Sequence, residues 1–133
     1  MNKVYIEKLV NLTLDWCKNK FNGPEEKPLL VLGYNPSQYL GLFMRTSNDQ
    51  ALIFIYPNQC KTITKIVKTT IHEYKHFLQF SNYEEFLKYT EVSKKFEYDE
   101  NPYEVECRLF EEENYKKCYR YVLNKCDKKN FSF

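Results

Sequence analysis

The sequence predicts a single α+β domain, with a small, mainly antiparallel sheet packed on about four helices. Three observations lead there. Stretches 3–20, 61–80, 83–95 and 101–125 carry helical periodicity or helix start and stop signals. Apolar runs at 29–32, 39–44 and 51–56 are too short for helices and are bounded by turn formers. The chain has 133 residues, the size of one domain, and no linker, repeat or low-complexity segment divides it. The domain is therefore taken as 1–133, with the basic tail 127–133 expected to fray.

Each element has its own reason. In 3–20, Ile6, Leu9, Val10, Thr13, Trp16 and Cys17 share one helical face. Asn22-Gly23-Pro24 stops that helix. Leu29-Leu30-Val31-Leu32 follows a proline and reads as a buried strand. Tyr39–Met44 and Ala51–Tyr56 flank the polar cluster Thr46-Ser47-Asn48-Asp49, the pattern of a β-hairpin, and Pro57-Asn58 closes it. Ile63, Ile66, Val67, Ile71, Phe77 and Leu78 recur at three- and four-residue spacing along 61–80. Ser81-Asn82 ends this helix, and a third runs from about Tyr83 to Lys95. Asn101-Pro102 opens the last one, with Asn as N-cap and Pro at the first helical position.

Composition narrows the function. Net charge is +2, from 20 basic and 18 acidic residues, which makes no case for nucleic acid or an anionic membrane as partner. No apolar run resembles a signal peptide or a membrane span, so a cytoplasmic protein is expected. Heavy use of Lys, Asn, Tyr, Phe and Ile is compatible with an AT-rich genome, microbial or viral. In the viral case the location would be the virion or host cytoplasm. The five cysteines, Cys17, Cys60, Cys107, Cys118 and Cys126, are odd in number and contain no Cys-x-x-Cys pair. They read as small buried thiols and not as a disulfide framework. An aromatic content of 17% points to an aromatic-rich core and cleft.

Chemistry concentrates in Thr70-Ile71-His72-Glu73-Tyr74-Lys75-His76-Phe77, which holds both histidines of the chain in a His-Glu-x-x-His pattern. Residues i and i+4 of a helix face the same way, so His72 and His76 can offer two imidazole nitrogens to one zinc ion. Glu73 sits about 100° round the helix from His72. That is too far for a same-face ligand but close enough to take a proton from water in the open coordination position. The plain alternative is a helix with two hydrogen-bonded histidines.

A catalytic zinc site needs a third protein ligand. With no other histidine, it must be a carboxylate or a cysteine. The last helix offers Glu104 and Glu106, on opposite edges of an apolar face through Tyr103, Cys107, Phe110 and Tyr121. Helical geometry does not choose between them. Glu104, three residues after the Asn101 cap, could instead complete a capping-box-like arrangement. Glu106 could be a solvated acid favoured by the helix dipole.

His72-Glu73-Tyr74-Lys75-His76, followed after 27 residues by Glu104, Cys107 and Phe110, resembles the zincin metallopeptidases of the gluzincin kind in a minimal form. Their glutamate helix often reads Glu, two residues, a small residue, two more, then Phe. The resemblance implies a zincin-like fold and one Zn2+ per chain, held by His72, His76 and Glu104. It implies Glu73 as general base and a peptide or protein substrate, bound in extended form along the edge strand Tyr39–Met44. Two departures stand out. Relatives often carry Asp or Asn four residues after the glutamate ligand, where this chain has Arg108. Thermolysin-like enzymes use a further histidine on the oxyanion, so a tyrosine or Arg108 would have to serve here. A non-catalytic zinc-binding or structural virion protein that keeps the fold is the alternative.

Overall fold

The computed structural model describes residues 2–126, so the segment expected to fray, 127–133, lies outside them. Among the described residues there are five α-helices and one three-stranded sheet. The helices are α1 (Lys3–Lys20), α2 (Pro57–Cys60), α3 (Ile63–Gln79), α4 (Tyr83–Ser93) and α5 (Pro102–Lys125). The strands are β1 (Leu29–Leu32), β2 (Gly41–Arg45) and β3 (Ala51–Ile55). The class is α+β. The sheet is mixed, where a mainly antiparallel one was expected: β2 pairs antiparallel with β3, and β1 pairs parallel with it, in the order β1-β3-β2. Residues 33–40 carry the chain past the position that β3 later fills, a long-range choice that local pattern does not encode.

Being an edge, β1 is not the buried strand its four apolar residues suggest. Leu29 is 54% exposed and Val31 38%, while Leu30 and Leu32 pack on the core. Central β3 buries Ala51, Ile53 and Ile55 on one face. Pro57 does more than close the hairpin. It starts the single turn α2, which Lys61 ends in a left-handed conformation (φ 68°). Thr62 then caps α3, its hydroxyl accepting from the Lys65 amide at 3.1 Å.

Helix α3 is central. It packs on α1, α5, β2 and β3. Ile66, Val67, Ile71, Tyr74 and Phe77 meet Leu9, Val10 and Leu14 of α1 and Ile53 and Ile55 of β3 in one core. Each of these aliphatic side chains, fully buried, contributes about 1.5–3 kcal/mol. Buried Arg45 fastens the end of β2 to the end of α3. Its Nε donates to the Phe80 carbonyl at 2.8 Å, and one terminal nitrogen donates to the Asp49 carbonyl and the Glu26 carboxylate, both at 2.6 Å. The end of α3 that carries His76 is thus held firmly against the sheet.

Helix α5 corrects a second expectation. Its buried side chains are Glu104, Cys107, Asn114, Cys118 and Val122, while Tyr103, Phe110 and Tyr121 are only partly buried. The inward stripe is polar and small-sided, so a search for an apolar face misplaces it. Glu104 is inside this stripe and not at its edge.

Candidate metal centre

Helices α3 and α5 lie side by side and bring three donors together. His72 Nε2 is 2.9 Å from Glu104 Oε1, and His76 Nε2 is 3.0 Å from the same oxygen. All three residues are buried, as the next turn of a packed helix pair requires. Glu106 does not take part. Its exposed carboxylate meets Lys75 at 3.3 Å and the Gln79 amide at 3.2 Å. Nor does Glu104 complete a capping box, because the Asn101 amide donates to the carbonyls of Glu97 and Tyr98. The Asn101 side chain does cap α5, accepting from the Tyr103 amide.

The outer ring nitrogens are committed as well. His72 Nδ1 lies 3.2 Å from Glu111 Oε1. His76 Nδ1 lies 2.7 Å from Gln79 Oε1, and the Gln79 amide nitrogen donates to the Tyr103 carbonyl at 3.1 Å. That pairing fixes which end of the Gln79 amide faces His76. Both Nδ1 atoms therefore carry hydrogen, and in the neutral rings both Nε2 lone pairs point at one carboxylate oxygen. Three acceptors facing one another need a cation between them, either a proton or a metal ion. The proton's pull is visible at His72. Burial works against its charge, yet hydrogen bonds to Glu104 and Glu111 push its pKa up to about 9. Burial would raise the Glu104 pKa, but the two histidines and the Tyr89 hydroxyl hold it well below the usual carboxylate range.

The spacing also fits a metal ion. Tetrahedral ligands with bonds of about 2.0–2.1 Å stand about 3.3 Å apart, so the donors need open by only a few tenths of an ångström. Tyr89 of α4 donates a short hydrogen bond to Glu104 Oε2, which turns Oε1 toward the histidines. Aromatic rings wall this side: Phe80 stacks on His76 at 5.6 Å, and Tyr89 lies 5.2 Å from it.

Cys107 belongs to the same cluster, whose four donor atoms lie within 4.8 Å of one another. Its sulfur is 3.4 Å from His76 Nδ1 and 3.7 Å from Nε2. A sulfur sharing an ion with Nε2 should lie on the Nε2 side of the ring. Cys107 packs instead against the ring, and burial, then the Glu104 and Glu73 charges, disfavour its thiolate. His72, His76 and Glu104 are the better three-donor set. The remaining cysteines are likewise buried and free.

Glu73 stands apart from the donors but beside them. Burial raises its pKa to about 7, opposed by the charges of His76 and His72. Edge strand β2 passes close by. A Cβ on Gly41 would stand 3.1 Å from Glu73 Cγ, 2.8 Å from Thr69 Cγ2 and 2.9 Å from the Phe54 carbonyl. Only glycine lets the strand come this near, a role that its place in an apolar run hides.

Glu111, Gln79 and Tyr89 are the supporting residues that sequence reasoning missed. Glu111 is two turns after Glu104 and Gln79 three residues after His76, so both share a face with a ligand. Arg108 supports no histidine: it donates to the Asp99 carbonyl at 2.7 Å and lies over the Tyr98 ring at 5.5 Å. Among the described residues, no helix is long and apolar enough to cross a membrane. Compared with family models, curated proteins and solved structures, the chain matches none.

Proposed function

We propose that the protein is a zinc-dependent metallopeptidase of the gluzincin kind, acting on a peptide or protein. The observation that carries this reading is the convergence of His72, His76 and Glu104 on one point, with Glu73 alongside. The His/His/Glu donor set suits zinc. Zinc, when bound, polarises the scissile carbonyl and lowers the pKa of a water toward about 7.

The chain's own groups do the rest. Glu111 and Gln79 hold the imidazoles with Nε2 inward, and Tyr89 holds Glu104 so that one oxygen faces them. Glu73 takes a proton from the attacking water and returns it to the departing amine. Burial disfavours its charged form, which helps it hold a proton once taken. Edge strand β2, running past Glu73, offers backbone groups to a substrate in extended form.

Glu73→Gln tests the reading. It keeps size and polarity but cannot accept the proton. Zinc content and fold should be retained while turnover falls by about 10²–10⁴-fold. Equal cleavage by wild type and variant would remove Glu73 as the base. A second reading, a zinc-binding protein without catalysis, draws on Cys107 as a possible fourth donor. A zinc-loaded wild type that cleaves nothing in a proteome-derived peptide library would favour it.

A further inference from the structure

The sheet turns one face to the helices and the other away from them. Leu30 and Leu32 of β1, Phe43 and Arg45 of β2, and Ala51, Ile53 and Ile55 of β3 point to the helix side. The residues between them point outward, because successive side chains of a strand alternate. The register sets these outward side chains in two rows. Leu29 lies beside Leu52, which lies beside Met44, and Val31 lies beside Phe54, which lies beside Leu42. All six are apolar, and none belongs to the core. Leu29, Val31 and Met44 are exposed, and Leu42, Leu52 and Phe54 partly so. A sheet with one solvated face normally alternates apolar with polar, and strands apolar on both faces are normally covered on both. We propose that this outer face packs on the same face of a second copy of the chain, as a two-fold dimer of stacked sheets.

Charge is what points to a second copy. Residues 28–56 carry two charged side chains, Arg45 and Asp49, in a chain that is 29% charged. Both are engaged within the chain. Arg45 is buried, and the Asp49 carboxylate accepts from the Tyr83 amide at 2.8 Å. The ends of the rows, 33–38 and 46–50, are otherwise uncharged and mostly polar. An apolar centre without charge inside a polar rim is the anatomy of a protein interface, and homodimer interfaces are the more apolar kind. A two-fold axis sets a face against itself, so a face without charge meets no like charge and buries none unpaired. A lipid surface is the poorer match, because no free lysine or arginine borders the face to hold anionic headgroups.

Area sets the strength. Three strands about 4.8 Å apart, five residues long at about 3.3 Å each, give a footprint of about 14 by 16 Å. Stable complexes bury about 800 Å² per partner, and this face reaches less even with the relief of its side chains. The dimer is therefore reversible, in the micromolar range or weaker. Stacked sheets stand about 10 Å apart with their strands nearly aligned. Stacking leaves the metal centre open, since the Cβ position of Gly41 meets Thr69 and Glu73 on the opposite, α3 side of the sheet. The inference stands apart from the metallopeptidase reading. It also gives a reason for the unbroken apolar run Leu29–Leu32, whose outward members are buried only in the dimer.

Sedimentation velocity of the whole chain, at concentrations up to about 1 mM, reads the association. The wild type should pass from one chain toward two as concentration rises. Val31→Lys and Met44→Lys each place a charge at an exposed position of the face, where the folded monomer tolerates it. Each should weaken dimerisation about tenfold or more, with circular dichroism unchanged. Leu109→Lys changes an equally exposed apolar residue on α5, away from the sheet, and should dimerise like wild type. A wild type that stays monomeric throughout would overturn the proposal. Dimers of unchanged strength in both folded face variants, or an equal loss in Leu109→Lys, would do the same. A monomeric wild type that floats with phosphatidylcholine vesicles would assign the face to lipid and overturn it too.

Discussion

Glu111 offers the sharpest quantitative expectation. Its carboxylate, with a side chain only 12% exposed, accepts from His72 Nδ1 at 3.2 Å. Glu112 beside it is 63% exposed and pairs with Lys68 at 3.2 Å, well outside the donor cluster. Carboxylates behind a metal-binding imidazole raise its basicity and hold its ring, and losing one costs about 10–100-fold in metal affinity. Since tenfold is about 1.4 kcal/mol, the range is about 1.4–2.8 kcal/mol. Glu111→Gln can still accept from Nδ1 but loses the charge, and charge-assisted bonds are roughly twice as strong as neutral ones. It should fall near the tenfold end, and Glu111→Ala near the hundredfold end. Zinc competition against a chromogenic chelator at neutral pH would measure both, with Glu112→Gln as the unaffected control. Equal zinc affinity in wild type and Glu111→Ala would refute the claim that this carboxylate orients a metal ligand.

Three further outcomes are expected. Metal-free protein should lose stability as pH rises. His72 is raised from 6.5 to about 9, so its stabilising charge is fully present below 6.5 and gone above about 9. Glu73, raised from 4.5 to about 7, acts in the same direction, because it becomes an unfavourable buried charge as it ionises. Tm of the metal-free protein should therefore fall between pH 6.5 and 9, and saturating zinc should reverse the trend by taking the proton's place. A metal-free Tm that climbs over this window would contradict the arrangement of charges. Arg45→Ala should lower unfolding free energy by about 3 kcal/mol or more in urea denaturation, since it strips three acceptors of a buried donor. A loss under about 1 kcal/mol would show that the hairpin needs no such anchor. Cys107→Ser should keep its zinc stoichiometry, and metal loss on that change would make the sulfur a fourth ligand.

Legibility in the sequence followed distance along the chain. The helices at 3–20, 63–79, 83–93 and 102–125 emerged within a few residues of their observed ends, because periodicity and caps are local. The Gly41–Arg45/Ala51–Ile55 hairpin was legible for the same reason. Parallel pairing of Leu29–Leu32 with Leu52–Ile55 was not, since nothing local tells a strand which neighbour it will have. His72 and His76 share a helix, so their common direction was evident. The choice of Glu104 over Glu106 rested on a family resemblance alone, for the polar inward stripe of α5 defeats an apolar-face argument. Glu111 and Tyr89 were missed because each pairs with a group that only helix packing brings near, whereas Gln79 meets His76 on its own helix and only its second partner, the Tyr103 carbonyl, comes from α5. Arg108 departs from the family pattern, and its contacts with the Asp99 carbonyl and the Tyr98 ring had no signal in the sequence.

Metal analysis by mass spectrometry of protein dialysed against zinc tests the central claim most directly. Wild type should hold about one zinc per chain, while His72→Ala, His76→Ala and Glu104→Ala, each left with two donors, should hold little. Glu106→Ala should match wild type. A wild type that stays metal-free, or a folded Glu104→Ala that keeps its full equivalent, would contradict the account.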